Sequence, residues 1–443
     1  MITLEELKGI CNVEKIEHGL TIGRTSFLCG IIVAIILLQN GPLNNLPITL
    51  LLLLIPTAKG LIFHKPGKCE KIVLFYGVYL LIITLLNFGD NFDPNYTINL
   101  FIQYLIIYTC LKFTIVNINA EKLLIYLRNF GLVLSAFCLV EALSKKHIWA
   151  SILGKGLTEG SARVVGFFNH PILCSCFLLI TLILTIVFPI RKKRAQVVAM
   201  IGVVSAIILT QSRSAWIATV VVLFIYLLKF HSHRIDRPYL IYGMLAVGIA
   251  FMVSIALGYN VAAEIVRFIS TRIQGSLEAG EGHIVRIEII LNSFEYWKSH
   301  IGDLFFGRGK NYGLLFLKYN PIKKFGTFTW SAAIDNQYIT LIHETGLVGV
   351  ILIFYIIAIA FKRFTTSNKI NKIQIAVSLC LIGNAICMFF YEGLNYPVMV
   401  LLYMIFIFLS DLQEIYVSNI EIEKLGINDG KKGKEYSDTH RKV

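Results

Sequence analysis

The sequence predicts an all-α, polytopic helical membrane protein with about twelve transmembrane helices and a mainly helical extracytoplasmic cap loop. Three observations lead there. Of its 443 residues, 56% are hydrophobic and only 15% are charged, against about 45–50% and about 25% in soluble domains. The apolar residues form unbroken runs such as ITLLLLLIP and ATVVVLFIYLL, without the alternation of a barrel strand. The basic residues gather in every second connection between runs, as topology requires. A soluble globular domain and a disordered chain are both excluded by this composition. The net charge of +14 therefore reads as membrane orientation rather than nucleic-acid binding.

Residues 1–24 form a cytoplasmic N-terminus with no clear signal-peptide cleavage site. Helices one to nine occupy 25–258, in runs at about 25–38, 47–63, 72–88, 98–117, 122–144, 166–190, 195–211, 213–230 and 238–258. A large extracytoplasmic loop spans 259–335. Helices ten to twelve follow at about 336–361, 372–391 and 394–410, and 411–443 is a polar cytoplasmic tail. Basic clusters follow the even-numbered spans: Lys65, Lys68 and Lys71; Lys122; Arg191 to Arg194; Lys229, Arg234 and Arg237; Lys362, Arg363, Lys369 and Lys372; and the tail. The connections at 39–46, 89–97 and 392–393 hold no Lys or Arg. Both termini are accordingly placed in the cytoplasm.

The loop 259–335 is too long for a bare connector. Amphipathic helices are expected at 261–270 and 285–298, the second with an apolar stripe of Ile287, Ile290, Phe294 and Trp297. Gly307, Gly309 and Gly313 in FFGRGKNYG mark a turn-rich segment. The nine Cys all fall in spans or cytoplasmic segments, so no disulfide framework is expected. His147, His170, His283 and His300 are scattered at or near the outer face, and no ligand spacing suggests a metal site.

The outer face gathers Arg163, Arg213, Arg267, Arg272, Arg286 and Arg308. Guanidinium forks match phosphate oxygens, although a solvated basic loop over anionic lipid has the same composition. Outer aromatics, Trp297 and Trp330 among them, fit either the cap's own core or a surface for stacking sugars. The strongest local pattern is DNQYITLIHETGLVGV at 335–350. Asp335 and Asn336 stand at the mouth of span ten, and Gly346 and Gly349 allow close helix approach. His343 and Glu344 lie two turns within the span, where ionisable groups call for a function or a partner. Glu141 and Glu392 are weaker cases.

Four stretches, ARVVGFFNHPI, LTQSRSAW, VRIEIILNSFEYWKSHIGDLFFGRG and DNQYITLIHETGLVG, together resemble the O-antigen polymerase and ligase superfamily of membrane glycosyltransferases. The resemblance covers about 165–350, in order. It implies a GT-C-like fold and metal-independent transfer of glycan from a polyprenyl diphosphate, without cofactor, at the outer leaflet of a bacterial plasma (inner) membrane. Arg163, Arg213 and Arg286 match arginines that contact the diphosphate, and Arg308 is a fourth candidate. Glycan contacts are expected from Asn336, Trp297 and Trp330. Ligases carry a His where Asp335 stands, followed by Asn, Ser or Gln, nine residues and G-x-x-G. The departure favours a repeat-unit polymerase, with Asp335 as base and Arg213 stabilising the leaving group. A ligase is the alternative enzyme, and a secondary transporter or flippase the alternative of another class. The expected partners are a polyprenyl-diphosphate-linked oligosaccharide and membrane lipids, with a flippase and a chain-length regulator implied by the family and no nucleic acid.

Overall fold

The computed structural model describes residues 66–87, 119–149, 163–168, 170–230, 281–320, 322–324, 327–329, 333–367 and 371–424. The expected spans at 25–38, 47–63, 98–117 and 238–258, the helix at 261–270, and Arg267, Arg272 and Trp330 lie outside these residues. The described helices are α1 (Lys68–Leu86), α2 (Ala120–Ser144), α3 (Pro171–Val187), α4 (Lys193–Leu209), α5 (Arg213–Phe230), α6 (Glu281–Ser299), α7 (Ile301–Phe306), α8 (Tyr312–Tyr319), α9 (Gln337–Thr366), α10 (Lys372–Cys387) and α11 (Pro397–Lys424). Five helical stretches, Lys68–Leu86, Ala120–Ser144, Arg213–Phe230, Gln337–Thr366 and Lys372–Phe390, are long and apolar enough to cross a membrane. Pro171–Val187 and Val398–Leu412 are shorter apolar helices.

Burial sorts these helices into a centre and a periphery. Nearly every residue of α3 and α10 is buried, as is α11 from Val398 to Asp411. A helix apolar all round belongs in the middle of a bundle. Around them α1, α2 and α5 leave Phe75, Leu86, Val133, Leu143, Val220 and Phe224 exposed, an outer surface suited to lipid. Between apolar helices, lipid is no worse a neighbour than another helix, so close approach decides the packing. Fully buried Ala206, Ala215, Ala218 and Ala376 provide it.

Side-chain caps set several helix starts. Asn119 accepts from the Lys122 N–H, and Asn371 from that of Gln374. His170 caps α3, whose first residue is Pro171. Span six therefore begins at Pro171, and residues 163–168 form a turn ahead of it rather than its first coil.

The helices alternate in direction between two ends. One end gathers the Arg128 bond to the Phe188 carbonyl, the Gln196 bond to the Thr185 carbonyl, and the Lys229 bond to Ser367. There Arg363 is buried and pairs with Asp411 at 2.8 Å, and Ser410 and the Glu70 amide complete the cluster. Two expectations are corrected here. Arg363 belongs to α9, not to a solvated connection, and Asp411 is an interior residue of α11 rather than the start of a polar tail. The opposite end carries the cap and the site described below.

The cap is α6, α7 and α8 with a small antiparallel hairpin, β1 (Ile322–Lys324) and β2 (Thr327–Thr329), in register Lys323 to Phe328. The strands were not anticipated by a mainly helical loop. The apolar stripe of α6 also differs from expectation. Ile289, Ser293 and Trp297 are buried, while Ile287 and Phe294 face outward. Ile289 joins Phe316, Leu317 and Ile334 in a small core. The helix thus turns toward Ile334 and α9.

α9 is interrupted at Gly346, where φ is 63° and ψ −167°. The break frees the carbonyls of His343 and Glu344, which accept the N–H groups of Arg308 (3.0 Å) and Gly309 (2.7 Å). A Cβ on Gly346 would lie 2.2 Å from the Phe305 carbonyl oxygen, and one on Gly307 2.4 Å from the Thr345 nitrogen. The expected close approach at Gly346 is thus made by the loop, and it comes with a broken helix.

Candidate functional site

The site is built on the segment 333–340. Ile334 is buried in the cap core, and its N–H bonds Glu392 Oε1 at 2.8 Å. Thr340 bonds the same oxygen at 2.9 Å, and Asn395 Nδ2 holds Oε2 at 2.6 Å. Burial raises the Glu392 carboxyl above its usual range, against the hydrogen bonds from Thr340, Ile334 and Asn395, and with Glu344 adding to the rise. Asn336 caps α9 by accepting from the Tyr338 and Ile339 amides. Its side-chain oxygen is thereby committed to the helix, which leaves only its amide nitrogen for a glycan. Asp335 sits between these anchors with φ 57°, a left-handed conformation that Asp tolerates better than most residues.

Arg286 of α6 donates to Asp335 Oδ2 from Nη2 (2.8 Å) and Nε (3.2 Å). Both side chains are more than a third exposed, so the pair contributes only about 0–1 kcal/mol to stability. It orients the carboxylate. Asp335 Oδ1 has no hydrogen-bond partner among the described residues.

Residues 163–168 and His170 form the facing wall. Glu141 of α2 accepts the amides of Val165 (3.0 Å) and Gly166 (2.8 Å) and pairs with His147. The structure therefore gives Glu141 a turn-holding role. Val164 and Arg163 both bond the end of α4, Arg163 through Nε to the Thr210 carbonyl at 3.1 Å. Arg213, the first residue of α5, follows that carbonyl by three positions, so Arg163 and Arg213 stand on joined turns.

His170 closes the group. Arg163 and Asp335 both lie within electrostatic reach of its ring. Tyr391 and Tyr396 flank it, with centroids 6.1 and 6.2 Å away, and stack on each other at 5.1 Å. Burial pulls the imidazole below its ordinary range, Arg163 adds to this, and Asp335 opposes it.

The structure thus brings Arg163, Arg286, Asp335 and Asn336 together, with Arg213 on the adjoining turn. Arg308 is held elsewhere, by Asp303 at 3.0 Å and over the Tyr312 ring. Trp297 is 2% exposed and packs against His343, so it offers no ring face to a sugar. Lys310 is buried against Glu344. His343 is enclosed by Trp297 and Phe316, with Nε2 bonded to Ser293. Among the described residues, no His, Cys, Asp or Glu group is placed to hold a metal ion.

His170, Tyr391 and Tyr396 are the site residues that sequence reasoning missed. The His-Pro pair marked a helix start, and YEGLNYP marked a turn crowded with polar groups between two spans.

Fold and site define a multi-pass helical membrane protein with a cation-lined carboxylate at one end of its bundle. Residues 197–354 match the family model described as O-antigen ligase. That stretch, from α4 to the second half of α9, is what this chain shares with the O-antigen polymerase and ligase superfamily, and it supports a likeness to that superfamily. No curated protein matches the chain.

Proposed function

We propose that the protein is a polymerase of surface polysaccharide, of O-antigen or capsule type. It transfers a glycan from polyprenyl diphosphate to the non-reducing end of another lipid-linked repeat unit. The observation that carries this is the Asp335 carboxylate, oriented by Arg286 with Oδ1 open, beside Arg163 and His170. A sugar hydroxyl attacks the anomeric carbon, and the bond from that carbon to the phosphate oxygen breaks. The hydroxyl proton passes to Asp335 Oδ1. The polyprenyl diphosphate leaves with its charge facing Arg163 and Arg213. Both substrates are confined to the membrane surface, which adds proximity.

In the full protein about twelve helices surround this site in a GT-C-like arrangement. The site end lies opposite the end bearing Arg191 to Arg194, Lys229 and Lys362. That supports an extracytoplasmic site and cytoplasmic termini in a bacterial plasma membrane. A flippase would deliver the substrate and a chain-length regulator would limit the product.

A ligase is the second reading, since the family match is to a model described as O-antigen ligase and fits either enzyme. One experiment separates the two. Purified protein in lipid receives a labelled polyprenyl-diphosphate oligosaccharide as its sole sugar substrate, and products are resolved on a gel. A ladder stepping by one repeat unit is expected. A single transfer that appears only when a separate lipid acceptor is added establishes a ligase instead. Inertness in both assays moves the assignment to a transporter.

A further inference from the structure

We propose that His170 binds a phosphate oxygen of the departing lipid diphosphate beside Arg163, donating from Nε2 as an uncharged imidazole. This assignment rests on the polymerase reading and adds a residue to its leaving-group side.

The tautomer follows from the cap. Pro171 has no N–H, so the first backbone donor of α3 is Ile172, and His170 Nδ1 accepts it at 3.3 Å. A neutral imidazole carries one proton, and an accepting Nδ1 leaves that proton on Nε2. Nε2 has no hydrogen-bond partner among the described residues. The ring is half-buried, so the donor is partly shielded from water.

The position decides what the donor meets. His170 and Arg163 come from the same wall of the site, and there the Nε2–H of the one and the guanidinium of the other can only donate. Asp335, the acceptor of the hydroxyl proton, comes from the other wall. The oxygen that gains charge on bond breaking therefore belongs with the two donors. Tyr391 stacks against the ring and Tyr396 packs beside it at a tilt of 36°, which together restrict its plane. The groups facing the imidazole are Arg163, Asp335, Tyr391 and Tyr396. Burial and Arg163 both favour the uncharged ring, and Asp335 opposes them.

Two variants test this in the full-length protein in lipid nanodiscs, with sugar-free polyprenyl diphosphate as the binding probe. His170→Asn keeps a capping oxygen, because Asn is a strong N-cap, and removes the Nε2 donor. It should melt with the wild type, bind the probe about tenfold or more weakly, and slow transfer in parallel, the worth of one hydrogen bond to a charged group. His170→Ala should recover transfer with added imidazole and not with N-methylimidazole, which when neutral has no N–H. Unchanged probe binding in His170→Asn, or equal recovery by the two imidazoles, reduces His170 to a helix cap. Wild-type protein that neither binds the probe nor transfers sugar overturns the polymerase reading itself.

Discussion

Lys310 of the loop grips Glu344 inside α9, with Nζ 3.0 Å from both carboxylate oxygens. Asn395 accepts a further bond from the same Nζ at 2.8 Å, and the Asn311 amide bonds Glu344 Oε1 at 2.9 Å. The two side chains are 10% and 3% exposed. Removing one partner strands a buried charge, which costs about 3–5 kcal/mol. Lys310→Met should therefore lower the thermal midpoint of the detergent-solubilised protein sharply. Lys310→Met combined with Glu344→Leu should recover much of the loss. A single variant as stable as wild type would show that the pair carries no such penalty.

Gly346→Ala adds two burdens, a Cβ 2.2 Å from the Phe305 oxygen and a side chain at φ 63°. Left-handed strain alone costs about 1–3 kcal/mol. The displaced loop would also lose the Arg308 and Gly309 hydrogen bonds to α9. Limited proteolysis should show earlier cleavage in residues 301–312 of the variant than of wild type.

Asp335→Asn separates chemistry from stability. The ion pair it weakens is partly exposed, so the midpoint should move by no more than about 1 kcal/mol equivalent. Transfer should fall about a hundredfold or more, the usual worth of a general base. Arg213→Ala should lose activity on a similar scale, as for an electrostatic stabiliser, with the protein still folded. A full-length polymer ladder from either variant removes that residue from the mechanism.

Glu392 gives a pH signature. Its carboxyl is raised by burial, so the folded state favours the neutral form. The stability it contributes is present below the ordinary carboxylate range, and is lost as pH rises through the raised value. Glu392→Gln is neutral throughout and should flatten this slope between mildly acidic and neutral pH. Thermal midpoints across that range, wild type against variant, measure it. Parallel curves would exclude Glu392 as the titrating group.

Hydropathy located the described helices well, because a run of apolar residues in lipid has one way to satisfy its backbone. It misjudged places where a polar residue is paired at a distance. Arg363 looked like an orientation charge because its partner, Asp411, is 48 positions away, in a segment read as tail. The face of α6 was rotated because Ser293 is a core residue through its bond to His343, which no apolar pattern reports. The site was half legible. Asp335, Asn336 and the arginines stand in recognisable stretches, whereas His170, Tyr391 and Tyr396 meet only through tertiary packing. The break at Gly346 was invisible because a glycine in an apolar run reads as a packing residue.

That break sets the rules for making hybrids of this protein with its relatives. The cap and the membrane helix share backbone hydrogen bonds, so neither is a detachable module. A cap exchanged at the obvious boundary before Asp335 would bring a foreign strap to carbonyls shaped for Phe305 to Lys310. Functional transplants should therefore carry residues 301–312 and 335–350 as one cassette, with Thr84 of α1 matched to the incoming lysine amide it accepts.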